Sequence, residues 1–145
     1  MGSMRTEVDR ELRRAAAYVR ALLPPQISEG PIRTKWYYKP SAKLGGDAFG
    51  YGRLSEDKYV CYLVDVAGHG AGAAMHAVAI MNQLRQQNLP DTDMSQPREV
   101  LGTLNQIFGM DEHAGLYFTI WYGVYDRSTR WLNFASGGQH PAFLI

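Results

Sequence analysis

The sequence predicts an α+β layered domain, and three features carry that prediction. Two long helical patterns, over residues 69–87 and 96–108, stand between groups of strand patterns. The strand patterns come as hairpins instead of alternating one-for-one with helices, which favours antiparallel pairing over a parallel βαβ sheet. The 145 residues are 46% hydrophobic and 20% charged, enough apolar material for one buried core.

In chain order, Met1-Gly2-Ser3-Met4 reads as a tag remnant. Residues 5–23 read as a helix, because Val8, Leu12, Ala15, Val19 and Leu22 fall on one face among Arg and Glu. Pro24-Pro25 ends it. The chain thus divides into a remnant (1–4), an N-terminal linker helix (5–25) and the main domain (26–145). Ile32 to Lys39 reads as a strand from its alternation and aromatic content. Residues 40–46 form a loop, and Ala48–Leu54 with Lys58–Val66 form a hairpin around Ser55-Glu56-Asp57. The second arm is apolar on both faces, the pattern of a central strand covered on both sides.

From His69 to about Gln87 the alanine-rich pattern leaves little polar face, so that helix should be buried almost all round. Residues 88–95 are a polar loop, and 96–108 a second helix with Val100, Leu104 and Phe108 inward. Strands follow at about 116–125, 131–136 and 142–145, the first two joined by Asp126-Arg127-Ser128-Thr129.

Composition removes several function classes. A formal charge of +1 argues against a nucleic acid or an anionic membrane as the main partner. No apolar stretch approaches the ~18 residues of a membrane span, and no secretory signal is present. Cys61, the single cysteine, sits in a strand pattern as a small core residue. These features favour a cytoplasmic protein.

Two short loops carry the chemistry. Leu44-Gly45-Gly46-Asp47 and Asp65-Val66-Ala67-Gly68-His69-Gly70 each place a carboxylate among tiny residues that let the backbone turn sharply. Asp65 ends the apolar run from Tyr59 to Val64, where a carboxylate is costly unless a cation or several hydrogen bonds compensate it. Two such groups on neighbouring strand ends suggest a hard divalent metal, with the Val66 carbonyl as a further oxygen donor. The structural alternatives are a helix cap for Asp65 and a turn residue for Asp47. His69 either donates to a phosphate and supplies a proton or bonds local backbone at the helix start, two readings of equal weight. His140 reads as a turn-orienting residue, and Asn105 and Thr119 as buried hydrogen-bonding residues. His76 and His113 carry no argument for function.

Taken in order, Leu22-Leu23-Pro24, LGGD, DVAGHG leading into the alanine-rich helix, Asn105, Phe118-Thr119 and Gly138-Gln139-His140-Pro141 resemble the signatures of the SpoIIE/RsbU branch of the metal-dependent protein phosphatases, the PPM family. The resemblance runs from about Leu22 to Ile145. It implies a PPM-type layered β-sandwich flanked by helices, with two antiparallel sheets face to face. It also implies two manganese or magnesium ions on Asp47, Asp65 and the Val66 carbonyl, with Asp47, Asp65 and His69 as catalytic residues. The implied reaction is hydrolysis of phosphoserine or phosphothreonine on a regulatory protein such as an anti-sigma-factor antagonist. Water is the attacking group, which agrees with the absence of a Cys-x5-Arg loop: Cys61 is followed by Tyr-Leu-Val-Asp-Val. The helix at 5–23 would then couple an upstream sensory module to the domain.

Three departures accompany the resemblance. Asp47-Ala48-Phe49-Gly50 has Gly where the family commonly has a second acid, and the turn before His140 carries an extra residue. The family's further aspartates follow the His-Pro strand, whereas this sequence ends at Ile145, five residues past His140. Asp111 and Asp126 precede that strand and are poor substitutes by order. The expectation is therefore a domain incomplete at its C-terminal end, with half the metal-binding aspartates and little activity. Its exposed sheet edge would invite a homodimer. The rival reading is a non-catalytic interaction module, which the short ligand set favours.

Overall fold

Neither Pro24 nor Pro25 can continue a helix, and α1 (Gly2–Leu22) stops just ahead of them. In this computed structural model, which describes residues 2–40, 44–109 and 117–145, Asp111 and His113 lie outside the described part. Of the apolar face expected on α1, Ala15 and Val19 are buried while Val8 is exposed, so the helix docks through its C-terminal half. It docks on α2 (Ala71–Arg85).

The strands β1 (Gly45–Arg53), β2 (Lys58–His69), β3 (Phe118–Asp126) and β4 (Trp131–Gly137) form a four-stranded antiparallel meander in that order. Helix α2 packs on β1 and β2, and α3 (Pro97–Ile107) on β3 and β4. The core lies between: Val60, Tyr62, Val64 and Val66 of β2 meet Ala74, Ala77, Ile80 and Leu84 of α2. Tyr62 and Tyr122 stack within it, ring centroids 6.1 Å apart. The Tyr122 hydroxyl donates to the Met94 carbonyl at 2.7 Å, which ties the loop before α3 to the sheet.

The α+β class expected is the one found, and the described residues build one sheet with all three helices on one face. The other face explains the corrections. Residues 32–39 alternate as expected, with Ile32, Thr34, Trp36 and Tyr38 half-buried and Arg33, Lys35 and Tyr37 exposed, but they join no ladder. They run as a strap against the sheet's open face. Thr34 donates its N–H to the Ile27 carbonyl and accepts the Ile27 N–H at its hydroxyl, both at 2.9 Å. The Thr34 hydroxyl donates to the Tyr51 hydroxyl at 2.7 Å, which donates to the Pro25 carbonyl at 2.6 Å. The Trp36 indole donates to the Pro24 carbonyl at 3.0 Å and meets Phe49 edge-on, with centroids 5.1 Å apart.

Beside the strap lies an apolar groove of about 530 Å³, lined by Pro25, Ile27, Ile32, Tyr59, Cys61 and Leu132 among others. Burial pushes the Cys61 thiol pKa up. Strand β2, expected to be covered on both sides, is fully buried only toward the helices; on the open face Leu63 is 43% exposed. Residues 142–145, expected as a strand, form none and are exposed.

Candidate functional site

The loop into β1 and the end of β2 shape one corner of the sheet. Leu44 has φ 55°, and the register shifts between Gly45 and Gly46, so Gly45 pairs with His69 and Gly46 with Val66. A β-bulge of this kind re-aims the residues beside it. Gly46 is demanded by packing: a Cβ there would stand 2.5 Å from Val66 Cβ and 3.1 Å from the Ala73 carbonyl oxygen of α2.

Beyond the bulge the register is regular, and Asp47 of β1 pairs with Asp65 of β2, which pairs with Thr119 of β3. Residues directly opposite on antiparallel strands hold their Cβ atoms about 4.5–5.5 Å apart, so the two carboxylates meet on the open face. Neither is a cap or turn residue. Asp65 lies inside β2, and the N-cap of α2 is Gly70, with no side-chain cap bond.

The row continues past Thr119. The Gln139 side-chain amide donates to the Thr119 hydroxyl at 3.0 Å, and the Ser136 hydroxyl donates to the Gln139 carbonyl at 2.9 Å. Gly138, at φ 82°, allows this approach, since a Cβ there would stand 2.8 Å from Thr119 Cγ2. Four sequence-distant segments thus converge at one end of the sheet. The sequence reading missed Thr119 and Gln139 as neighbours of the carboxylates. The available signal was Thr119's period-two position in Phe118-Thr119-Ile120-Trp121.

The electrostatics follow from the pairing. Burial against its neighbours, then the hydrogen bond and the charge of Asp65, push the Asp47 pKa up from 3.8 to about 6. Asp47 therefore keeps its proton up to about pH 6, roughly two units beyond an ordinary carboxyl. The Tyr38 hydroxyl of the strap donates to the Asp47 backbone carbonyl at 3.3 Å. Burial and then the Asp47 charge raise the Tyr38 pKa, against an opposing contribution from Arg20.

The other expected residues are placed as follows. Val66 turns its side chain into the core at 1% exposure, and its carbonyl oxygen would stand 3.1 Å from a Cβ on Gly46, on the β1 side of β2. His69 is exposed at the end of β2 instead of opening α2, because Gly68 and Gly70, at φ 90° and 89°, carry the chain on before the helix starts. It lines a depression of about 440 Å³ against Asp9, Glu11 and Leu12 of α1. Among the described residues no third Asp, Glu, His or Cys joins Asp47 and Asp65 in a metal-holding group. Asn105, expected to be buried, is exposed on α3. His140 is exposed, its backbone N–H donating to the Gln139 side-chain oxygen at 3.3 Å. His76 is a core residue, edge-on to Phe108 and Phe118 at 5.6 and 6.2 Å.

The donor set suits a hard dication in kind, since Asp47 and Asp65 offer only oxygen and their mutual repulsion would be relieved by positive charge. In number it is a partial set.

The family model described as Stage II sporulation protein E (SpoIIE) matches residues 55–145. The phosphoserine phosphatase RsbP of Bacillus subtilis is 28% identical over 137 residues, covering 92% of this chain and 33% of that protein. The phosphoserine phosphatase RsbU of the same organism is 27% identical over 104 residues, 72% of this chain and 30% of that protein. The chain therefore spans about a third of the length of these relatives. In three dimensions it is similar to the crystal structure of the RsbU and RsbW domains of Rv1364c from Mycobacterium tuberculosis, with a TM-score of 0.54, 24% identity and coverage of 70% of this chain and 27% of that one. That likeness bears on the fold.

Proposed function

We propose, since this chain belongs to the SpoIIE family, that it carries the phosphate-hydrolysing corner of a phosphoserine or phosphothreonine protein phosphatase. The observation that supports this most is the cross-strand pair of Asp47 and Asp65, one carboxyl holding its proton to about pH 6, at the meeting point of the sequence signatures. Asp47, Asp65 and the Val66 carbonyl would hold two manganese or magnesium ions. When bound, such ions supply a nucleophilic water near neutral pH and offset phosphate charge.

The chain's own residues do the rest. Asp47 and Asp65 give oxygen ligands and, without cations, Asp47 holds its proton up to about pH 6 beside Asp65. Gln139 and Thr119 hold the next position in the row, where a polar substrate group would find a donor and an acceptor. His69, exposed four residues after Asp65, is the nearest imidazole in sequence for moving a proton to a leaving serine alkoxide. The substrate class we assign is a small phosphorylated regulatory protein of the anti-sigma-factor-antagonist kind, in line with the phosphoserine phosphatase names of its relatives.

A second reading has one observation in its favour. With only two grouped carboxylates among the described residues, the domain would bind such a regulator without hydrolysing it. Release of phosphate from a phosphoserine peptide, with and without manganese, separates the two. Turnover that needs manganese and falls by orders of magnitude in Asp65→Asn supports the phosphatase; binding without turnover supports the module.

A further inference from the structure

The row at the open corner changes chemistry halfway along. Asp47 and Asp65, once ionised, offer only acceptors, while the next two members, Thr119 and Gln139, carry protons. Which of those protons are left to give follows from the bonds around Gln139. The His140 backbone N–H donates to one end of the Gln139 side chain at 3.3 Å. A backbone N–H can only donate, so the amide oxygen faces His140 and the amide nitrogen faces Thr119. The Thr119 hydroxyl therefore accepts from Gln139, at 3.0 Å, and has its own proton to give elsewhere. Among the described residues no group takes that proton, nor the second N–H of the Gln139 amide. The pair is also held in place. The Ser136 hydroxyl holds the Gln139 carbonyl, Gly138 bridges to Ile120 beside Thr119, and a Cβ on Gly138 would collide with Thr119 Cγ2. Both side chains are half-buried.

We propose that Thr119 and Gln139 bind the phosphoryl group of the substrate, giving the Thr119 O–H and the free Gln139 N–H to its oxygens at the side of the Asp47–Asp65 corner. This rests on the phosphatase reading and adds to it the residues that hold the phosphoryl group. Thr119 pairs directly with Asp65, and facing residues on antiparallel strands lie about 4.5–5.5 Å apart at Cβ. One tetrahedral phosphoryl group spans that interval. A phosphoryl dianion presents only acceptor oxygens, the complement of two donors of fixed direction, and hydrogen bonds to such an ion are the short, strong kind. Donors fixed before binding need no reordering when the ligand arrives. Asp47 and Asp65 cannot supply this half of the contact, since an ionised carboxylate holds no proton. The two donors have unequal parts. Thr119 gives its proton to the ligand; Gln139 gives one as well and, by donating to Thr119, turns the Thr119 proton outward.

Amide-resolved NMR of the 145-residue chain is the test, because the two protons of the Gln139 side-chain amide give separate signals, identified by their loss in Gln139→Met. In saturating Mg²⁺, inorganic phosphate and a phosphoserine peptide should each move the Gln139 proton that does not face Thr119. The same peptide without phosphate should leave it in place. Thr119→Val keeps the shape and removes the hydroxyl. It should weaken phosphate and phosphopeptide binding alike by about tenfold to a hundredfold, the range for a hydrogen bond to a charged group, while Thr119→Ser retains it. Gln139→Met should also weaken binding, and in the double variant the two losses should not multiply, since Gln139 acts partly through Thr119. The backbone amide spectrum shows whether each variant keeps the fold. Should one misfold, the response of Gln139 in the parent decides. A Gln139 signal that ignores phosphate, or answers equally to the unphosphorylated peptide, would overturn the assignment. So would Thr119→Val and Gln139→Met binding as tightly as the parent, an outcome that leaves the phosphatase reading standing. Asp65→Asn should lose the Mg²⁺-dependent binding; its persistence there would overturn both.

Discussion

Replacing Asp65 with Asn should stabilise the metal-free protein near neutral pH. The Asp47 carboxyl titrates near pH 6 in the folded chain against 3.8 ordinarily, a rise caused by burial and by Asp65. The sign follows from linkage: between these two values the folded state binds more protons than the unfolded one, so stability falls as pH rises through the window and is flat above it. A rise of about two units corresponds to roughly 3 kcal/mol undiscounted; burial, its first cause, persists in the variant, and solvent screening of the exposed side chains reduces the Asp65 share to about 1 kcal/mol at most. For a chain of this size that is a melting-temperature shift of ~3 °C. The assay is thermal unfolding of both proteins in chelator, from pH 4 to 7.5, read as the difference between them. Asp65→Asn should gain on the parent from pH 4 to about 6 and then hold its lead. A variant less stable than the parent at pH 7, or a difference independent of pH, would refute the reasoning.

Three further outcomes follow from the geometry. Gly46→Ala should destabilise by about 2–3 kcal/mol, because the new methyl meets Val66 Cβ and two backbone carbonyls and has no flexible neighbour to displace; the urea midpoint measures it. Tyr51→Phe breaks the relay from Thr34 to the Pro25 carbonyl and should cost about 1 kcal/mol, with faster amide exchange confined to residues 25–38. Isothermal titration with Mn²⁺ should give an affinity near the millimolar range, since two carboxylates supply few of the ligands a small octahedral dication needs; micromolar affinity would mean that unidentified donors complete the site.

How far the sequence reached can be seen residue by residue. The hairpin of β1 and β2, both core helices and the β3–β4 turn were legible because each rests on local periodicity and turn chemistry. The facing of residues 32–39 was legible for the same reason. Their pairing was not, because alternation records which side chains meet an apolar surface and says nothing of where the backbone hydrogen bonds go. Thr34 shows the difference: it bonds Ile27 and Tyr51 and joins no ladder. Leu63 and Cys61 made β2 look covered on both sides, since apolar content cannot tell a covered face from an open one.

At the site, the glycines around Asp47 and Asp65 marked the right corner. The register that sets them side by side, and adds Thr119, depends on the bulge at Gly45/Gly46, a feature of two strands at once. His69 was misplaced onto the helix because only the positive φ of Gly70 delays the start of α2.

The three tryptophans sit on three separate seams of the molecule. Trp36 is wedged between strap and β1, Trp121 is nearly buried under Phe134 with its ring over Gly123, and Trp131 stands in solvent on the β4 edge. The Trp121 indole N–H is buried with no hydrogen-bond partner among the described residues, so its emission should lie at the short-wavelength end, with Trp131 at the long-wavelength end. Iodide, which quenches only what it can touch, would extinguish Trp131 first and leave Trp121 for last. Intrinsic fluorescence therefore comes spatially resolved in this chain: a blue shift of the quenchable component signals that the β4 edge has been covered, and a change in Trp36 that the strap has moved.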